Sequence, residues 1–128
     1  MPTLQELIAA VRSDQVERDA FESVCSSESL NRGELYNRLA LVIARDFEKG
    51  AMSFELADSA INSIWAMIVD DLSRHPKFAF PELAYAIYEA FDAGEWNRGD
   101  GRDPVVVYTR PAIGRILEAA TLAGATED

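Results

Sequence analysis

The chain has 128 residues, a net charge of −10 and a single cysteine, Cys25. Its 22 acidic residues against 12 basic ones argue against binding to nucleic acid or to an anionic membrane, because both require a basic face. No apolar run approaches the ~20 residues of a membrane span, no secretory segment is apparent at the start, and Cys25 cannot form an internal disulfide. We therefore expect a cytoplasmic protein with one helical domain over 1–122 and a frayed tail over 123–128.

Helical periodicity begins almost at once. Thr3 and Glu6 have the spacing of a capping box, which predicts a helix start. The apolar residues that follow recur at i, i+3, i+4 and i+7, namely Leu4, Leu7, Ile8 and Val11. Asp14 and Glu17 repeat the capping spacing, so residues 3–25 form either one bent helix or two.

Clear signals bound the next two helices. Asn31 followed by Glu34 predicts a start, and Gly50 predicts a left-handed stop. Ser53 can cap the following helix, which we expect to be the central and most buried one. Its predicted inner face is Phe54, Ala57, Ile61, Ile64, Ile68 and Leu72, with Trp65 beside it.

The last third of the chain reads as helix, loop and helix. Pro81 suits a first helical turn, and Gly94 is read as the stop. The inward stripe between them is Leu83, Ile87, Ala90 and Phe91. The run "VVVY" at 105–108 predicts a short extended strut, after which Thr109 caps a final helix. The fold class is therefore all-α, a five- or six-helix bundle with a long acidic loop and a short extended strut before the last helix.

Motifs for catalysis or cofactor binding are missing from the sequence. One cysteine and one histidine cannot supply a zinc site, and the acidic loop lacks calcium-loop spacing. We read Cys25 as a half-buried filler and His75 as a turn residue. Asp70 and Asp71 are adjacent and so point in different directions. We predict no catalytic residue, no metal and no cofactor.

The middle of the long loop, "EWNRGDGRD", exceeds what a connection needs. The segment "ELAYAIYEAFDAGEW" leads into it. It places three aromatic side chains next to carboxylates, a composition typical of protein-binding surfaces. The candidate protein-binding residues are Tyr85, Tyr88, Asp92, Glu95, Trp96, Asp100 and Asp103. The alternative is that a second layer of core covers these rings.

Residues 78–117, with "FPELAYAIYEAFDAGEW…DP…YTRPAI", resemble small, acidic, all-helical bacterial immunity or antidote proteins of polymorphic and contact-dependent toxin systems. The resemblance rests on a loop signature and not on catalytic residues, and it implies a role class and not a mechanism. As our own hypothesis, the concrete form of that role is an immunity-type inhibitor that neutralises a cognate toxin by occlusion.

We accordingly expect a non-enzymatic module that binds another, basic protein. One alternative is a structural protein that forms a homodimer through the same aromatic flank. A second is a carboxylate-dependent enzyme that uses Glu89 and Asp92, which lie at i and i+3 on one helix edge.

Overall fold

Six α-helices and one short π-helix make up the part of the chain that the structure, a computed structural model, describes, residues 1–124. The predicted all-α bundle is confirmed. Four residues of the expected frayed tail, 125–128, lie outside the described residues. Within 1–124, no helix combines the length and the apolar character needed to cross a membrane. The helices are α1 (Leu4–Arg12), α2 (Arg18–Ser27), α3 (Arg32–Lys49), α4 (Phe54–Arg74), α5 (Glu82–Asp92) and α6 (Arg110–Leu122).

The predicted helix boundaries of the first half are confirmed where side chains cap the backbone. Thr3 and Glu6 form the reciprocal capping box of α1. Asn31 and Ser53 accept hydrogen bonds from backbone amides in the first turns of α3 and α4. Gly50 ends α3 in the left-handed conformation, at φ 82°.

Residues 3–25 form two helices, and Asp14 does not cap the second. Its backbone is left-handed, at φ 55°, and its carboxylate accepts a hydrogen bond from the Ser59 hydroxyl of α4. The α2 N-cap is Glu17, which makes no side-chain capping bond. Asp14 therefore turns the chain between α1 and α2 and ties that turn to α4.

The central helix is α3. The sequence had predicted α4 as the central helix, and that prediction is wrong. It contacts α1, α4, α5 and α6, and both faces of its middle turns are buried. The inner face of α4 is as predicted from Ala57 to Ile68, but Leu72 is 43% exposed. Strict periodicity fails at Leu72 because the buried residue of that last turn is its charged neighbour, Asp71.

The predicted extended strut is wrong, because Val105–Thr109 is a π-helix that continues directly into α6. The Arg110 amide donates to the Val105 carbonyl, five residues back. Thr109 is consequently helical and does not cap α6. Its buried hydroxyl instead donates to the Ala90 carbonyl at 2.7 Å, which joins α6 to the end of α5.

Gly94 is required for close packing and not as a left-handed stop. Helix α5 ends at Asp92, and Gly94 follows one residue after its C-cap. A Cβ atom at Gly94 would collide with the Thr109 hydroxyl and crowd the Phe54 ring. The backbone therefore fits between Thr109 and Phe54 only because residue 94 has no side chain.

A buried carboxylate joins the helices of the first half. The Asp71 side chain is fully buried and accepts hydrogen bonds from Arg18 at 2.8 Å and Arg32 at 3.3 Å. The Tyr36 hydroxyl donates to the same carboxylate at 2.5 Å. Burial, followed by the hydrogen bond to Asp71, raises the pKa of Tyr36, so this hydroxyl remains a donor.

The two arginines extend this network to the surface. Arg32 also binds both carboxylate oxygens of Glu22, and that hydrogen bond lowers the Glu22 pKa. Arg18 also donates to the Met67 carbonyl and to Asp70. The network thus connects α2, α3 and α4, and every charged group in it has a partner.

Replacing Asp71 by Asn should destabilise the fold, because Arg18 and Arg32 would lose a buried counter-charge. We expect a loss of about 3 kcal/mol in the free energy of unfolding, measured with urea. The adjacent Asp70→Asn is the matched control. Its side chain is 41% exposed, so we expect a loss below about 1 kcal/mol. Equal losses from the two variants would contradict this account.

Two glycine substitutions should act in opposite directions. Gly94→Ala introduces the collision with Thr109 and should cost about 2 kcal/mol of unfolding free energy. Gly114→Ala in α6 meets only an ordinary contact with Glu48, so it should stabilise by about 0.5 kcal/mol through helix propensity. Thermal unfolding of both variants measures the difference, and stabilisation by Gly94→Ala would refute the close-packing role.

Candidate protein-binding surface

Four aromatic rings pack against one another on the outside of α4 and α5. Trp65 stacks on Tyr88 with 4.7 Å between ring centroids and lies 5.2 Å from Tyr85. Phe80 contacts both Trp65 and Tyr85 edge-on. Each ring is partly or largely exposed to solvent. This aromatic cluster (Trp65, Phe80, Tyr85, Tyr88) therefore forms a surface, and the described residues place no further layer of core over it.

Three carboxyl groups lie beside the aromatic cluster. Asp58 comes from α4, Asp92 ends α5, and Glu95 belongs to the loop that follows α5. The Asn62 side-chain amide donates to Glu95 at 3.0 Å and also contacts Asp58 at 3.3 Å. This carboxyl cluster (Asp58, Asp92, Glu95) thus links the start of the long loop to the outer face of α4.

Within the carboxyl cluster, Asp58 retains its proton up to near neutral pH. The pKa of Asp58 is raised to about 7, first by burial and then by its hydrogen bond and repulsion with Glu95, to which Asp92 adds. Burial and then the same three carboxylates raise the pKa of Tyr88. The carboxyl cluster therefore acts electrostatically on the neighbouring aromatic cluster.

The middle of the long loop is shaped by its own polar side chains. Asn97, Asp100 and Asp103 each accept a hydrogen bond from the backbone amide two residues further on. Glycines with left-handed φ, at 74° and 76°, lie between these turns. Asp103 thereby caps the π-helix, and Asp100 also holds the Arg102 guanidinium at 3.2 Å. Two of the predicted binding carboxylates, Asp100 and Asp103, thus help to fold the loop.

Trp96 belongs to a different aromatic group from Tyr85 and Tyr88. The Arg98 guanidinium lies 4.3 Å from the Trp96 ring and 3.7 Å from the Tyr108 ring. It also donates to the carbonyls of Ala93 and Trp96. Cation–π contacts and hydrogen bonds together hold the loop against the π-helix. Trp96 remains 57% exposed on the outside of this arrangement.

The residues considered for chemistry are spread over separate regions. Glu89 and Asp92 are both exposed, and the Tyr85 hydroxyl donates to Glu89, so these two carboxyls lack the burial that a general acid needs. Cys25 is half-buried, and burial raises its pKa. His75 ends α4 and is largely exposed. Residues 1–124 contain no group of three metal-ligating side chains placed to hold an ion.

The predicted residues Tyr85, Tyr88, Asp92 and Glu95 lie beside residues of α4 that the sequence prediction did not include. Asp58, Asn62 and Trp65 have the i, i+4, i+7 spacing of one helix face. This spacing could have predicted the surface, because Asp58 and Asn62 are polar residues on one face of a helix that the sequence prediction used only for its apolar face.

No protein-family model, no curated protein and no solved structure matches this chain.

The Asp58 proton should be visible in the pH dependence of stability. Between pH 4 and 7 the folded chain holds a proton that the unfolded chain, with an Asp pKa near 3.8, has lost. The unfolding free energy should therefore fall as pH rises through this window and then level off. Measured against Asp58→Asn, whose side chain stays neutral, the unfolding free energy of the wild type should decline by roughly 1 kcal/mol over this pH window, since Asp58 is partly solvated.

Urea unfolding at several pH values measures this difference between the two proteins. Glu95→Gln supplies a second check, because removing the neighbouring charge should lower the Asp58 pKa, as followed by carboxyl NMR. Parallel stability profiles for wild type and Asp58→Asn would show that the pKa of Asp58 is not raised.

Proposed function

We propose that this chain is a protein-binding module that recognises a basic surface of another protein through its aromatic and carboxyl clusters. The observation that carries the proposal is the packing of the partly exposed Trp65 and Tyr88 beside Asp58, Asp92 and Glu95. Arg or Lys side chains of a partner can stack on such rings while pairing with the carboxylates.

Electrostatics supports a basic partner. The whole chain carries −10, and the carboxyl cluster concentrates part of that charge at one site. A field of this kind speeds the encounter with a positively charged surface and rejects an anionic one. A cation brought to the cluster would compete with the proton on Asp58, so binding should strengthen as the pH rises through about 7.

The rings supply the contact area of the proposed surface. Stacked Trp and Tyr side chains lose little conformational entropy when a partner covers them, since their neighbours already restrict them. Trp96 lies on the outer side of the same loop that carries Glu95, so it extends the surface beyond the carboxyl cluster.

The most concrete form of this function is an immunity-type inhibitor that covers the basic active cleft of a cognate toxin. The resemblance of residues 78–117 to such proteins supports it, as does the position of Glu95 and Trp96 at the head of a loop whose own turns hold it in shape. In this form the protein acts by occlusion and carries out no chemistry.

The test compares charge removal at the surface with equal charge removal elsewhere. The binding probes are the purified products of the genes adjacent to this one, and association is followed by surface plasmon resonance at several salt concentrations. Asp92→Asn/Glu95→Gln should slow association about fivefold at low salt, because local attraction is lost. Asp103 is left intact because its carboxylate caps the π-helix.

Glu28→Gln/Glu118→Gln is the matched control, since it removes the same net charge from exposed positions at the end of α2 and on α6. Its association rate should change by less than about twofold. Tyr88→Ala should mainly speed dissociation, by about tenfold or more, because a ring contact is lost. Equal effects of the two double variants would contradict recognition at this surface.

A further inference from the structure

The Glu95 carboxylate reaches back from the long loop to the outer face of α4. The Asn62 side-chain amide donates to it at 3.0 Å. The same nitrogen donates to the Asp58 backbone carbonyl at 2.8 Å, four residues back in the helix, and lies 3.3 Å from an oxygen of the Asp58 carboxyl group. One side-chain amide therefore faces three acceptors, two of which belong to carboxyl groups.

The Asn62 amide cannot satisfy all three acceptors, because it has only two N–H groups. The Asp58 carbonyl is the nearest acceptor and takes one of them. The other must serve both carboxyl groups. While Asp58 is protonated, its own O–H donates to Glu95, so no donor is missing. Once Asp58 ionises, two carboxylates compete for one N–H and also repel each other.

The fold determines which of the two carboxylates can leave. Asp58 belongs to α4, whose backbone is held by packing against α3 and α5. Glu95 lies in the loop and is exposed. The backbone just before it is confined, because Gly94 has no room for a side chain beside Thr109. The long Glu95 side chain can still turn into solvent by rotation about its own bonds, so its carboxylate is the group that moves.

The groups that face Asp58 favour this separation. They are acidic or neutral, namely Asn62 of α4, Tyr88 and Asp92 of α5 and Glu95 of the loop. Asp14, in the turn after α1, accepts a hydrogen bond from the adjacent Ser59. The loop cation Arg98 is engaged with two aromatic rings and two carbonyls. Helix α3 packs on the buried face of α4. An ionised Asp58 therefore gains no counter-charge from these groups.

We propose that protonated Asp58 holds the Glu95 side chain against α4 and that ionised Asp58 releases this side chain to solvent. The consequence for the binding surface rests on the proposed function. In the held state the Glu95 carboxylate is occupied by Asp58 and Asn62. In the released state it is available to a basic partner beside the exposed Trp96. The change of position itself requires no partner.

The test follows the position of Glu95 in the full chain by NMR between about pH 5 and about pH 9. As the pH rises, NOEs between the Glu95 side chain and the Asn62 amide protons should weaken at least about threefold, because the side chain leaves α4 and samples several rotamers. The Asn62 amide signals should shift with the same midpoint, at about pH 7. NOEs that stay constant across this range would overturn the proposal.

Asp58→Asn separates control by this proton from a general effect of pH. The new amide donates at every pH and has the shape of the protonated carboxyl group, so the NOEs between Glu95 and Asn62 should persist up to about pH 9. Circular dichroism melts check that the variant is folded, and the wild-type titration stands without it. A transition that Asp58→Asn retains would overturn the proposal.

Glu55→Gln is the matched control, since it removes a carboxylate from an exposed position one turn earlier in α4. Its transition should stay within about 0.3 pH units of the wild-type midpoint, because an exposed charge is screened by water and salt. Loss of the transition in Glu55→Gln would show that the charge of the helix, and not the Asp58 proton, controls Glu95, and would overturn the proposal.

Binding supplies a second measurement. For a neighbouring gene product that binds, the ratio of wild-type to Asp58→Asn association rates should rise at least about threefold between about pH 6 and about pH 8. The ratio cancels any titration of the partner's own groups. A constant ratio would overturn the regulation of binding. Absence of binding contradicts the proposed function only, because the NMR measurements on Glu95 involve no partner.

Discussion

The buried charge of Asp71 is the interaction on which the arrangement of the helices depends. A carboxylate removed from water must be matched by opposite charge and hydrogen-bond donors, or it would cost several kcal/mol. Here Arg18 of α2 and Arg32 and Tyr36 of α3 converge on it from two helices. Because each donor must reach one point on α4, the positions of three helices are determined together. Helix propensity and the burial of apolar area do not specify the relative positions of these helices so narrowly.

The opposite end of α4 shows how the same residue type behaves without such partners. Asp58 lies among other carboxyls, and the raised pKa of Asp58 and the Asn62 amide relieve the repulsion. The fold thus contains one acidic site that is neutralised internally, at Asp71, and a second group of carboxyls at the candidate surface. The first organises the bundle. Asp71 and Asp58 belong to one 21-residue helix, so the structural and the binding regions are rigidly connected.

Local signals in the sequence predicted most helix boundaries correctly. Thr3, Asn31 and Ser53 act through hydrogen bonds within three residues, which a linear sequence displays directly. The errors arose where distant residues decide. Thr109 has the composition of a cap, but its hydroxyl is directed to Ala90, and the valines before it adopt a π-helix although they favour strands. At the candidate surface, Tyr88 and Glu95 were foreseeable, whereas Asp58 and Trp65 required knowledge of how α4 packs against α5.

The π-helix has a consequence for the angular relation between the loop and the last helix. A π turn holds one residue more than an α turn, and one residue corresponds to about 100° of rotation. The extra residue lets Tyr108 face Arg98 while Thr109 faces Ala90, two targets on different sides of the chain. Shortening Val105–Val107 by one residue would leave α6 a good helix but turn Tyr108 away from the guanidinium. The length of this valine run therefore fixes the rotation of α6 about its axis relative to the loop that precedes it.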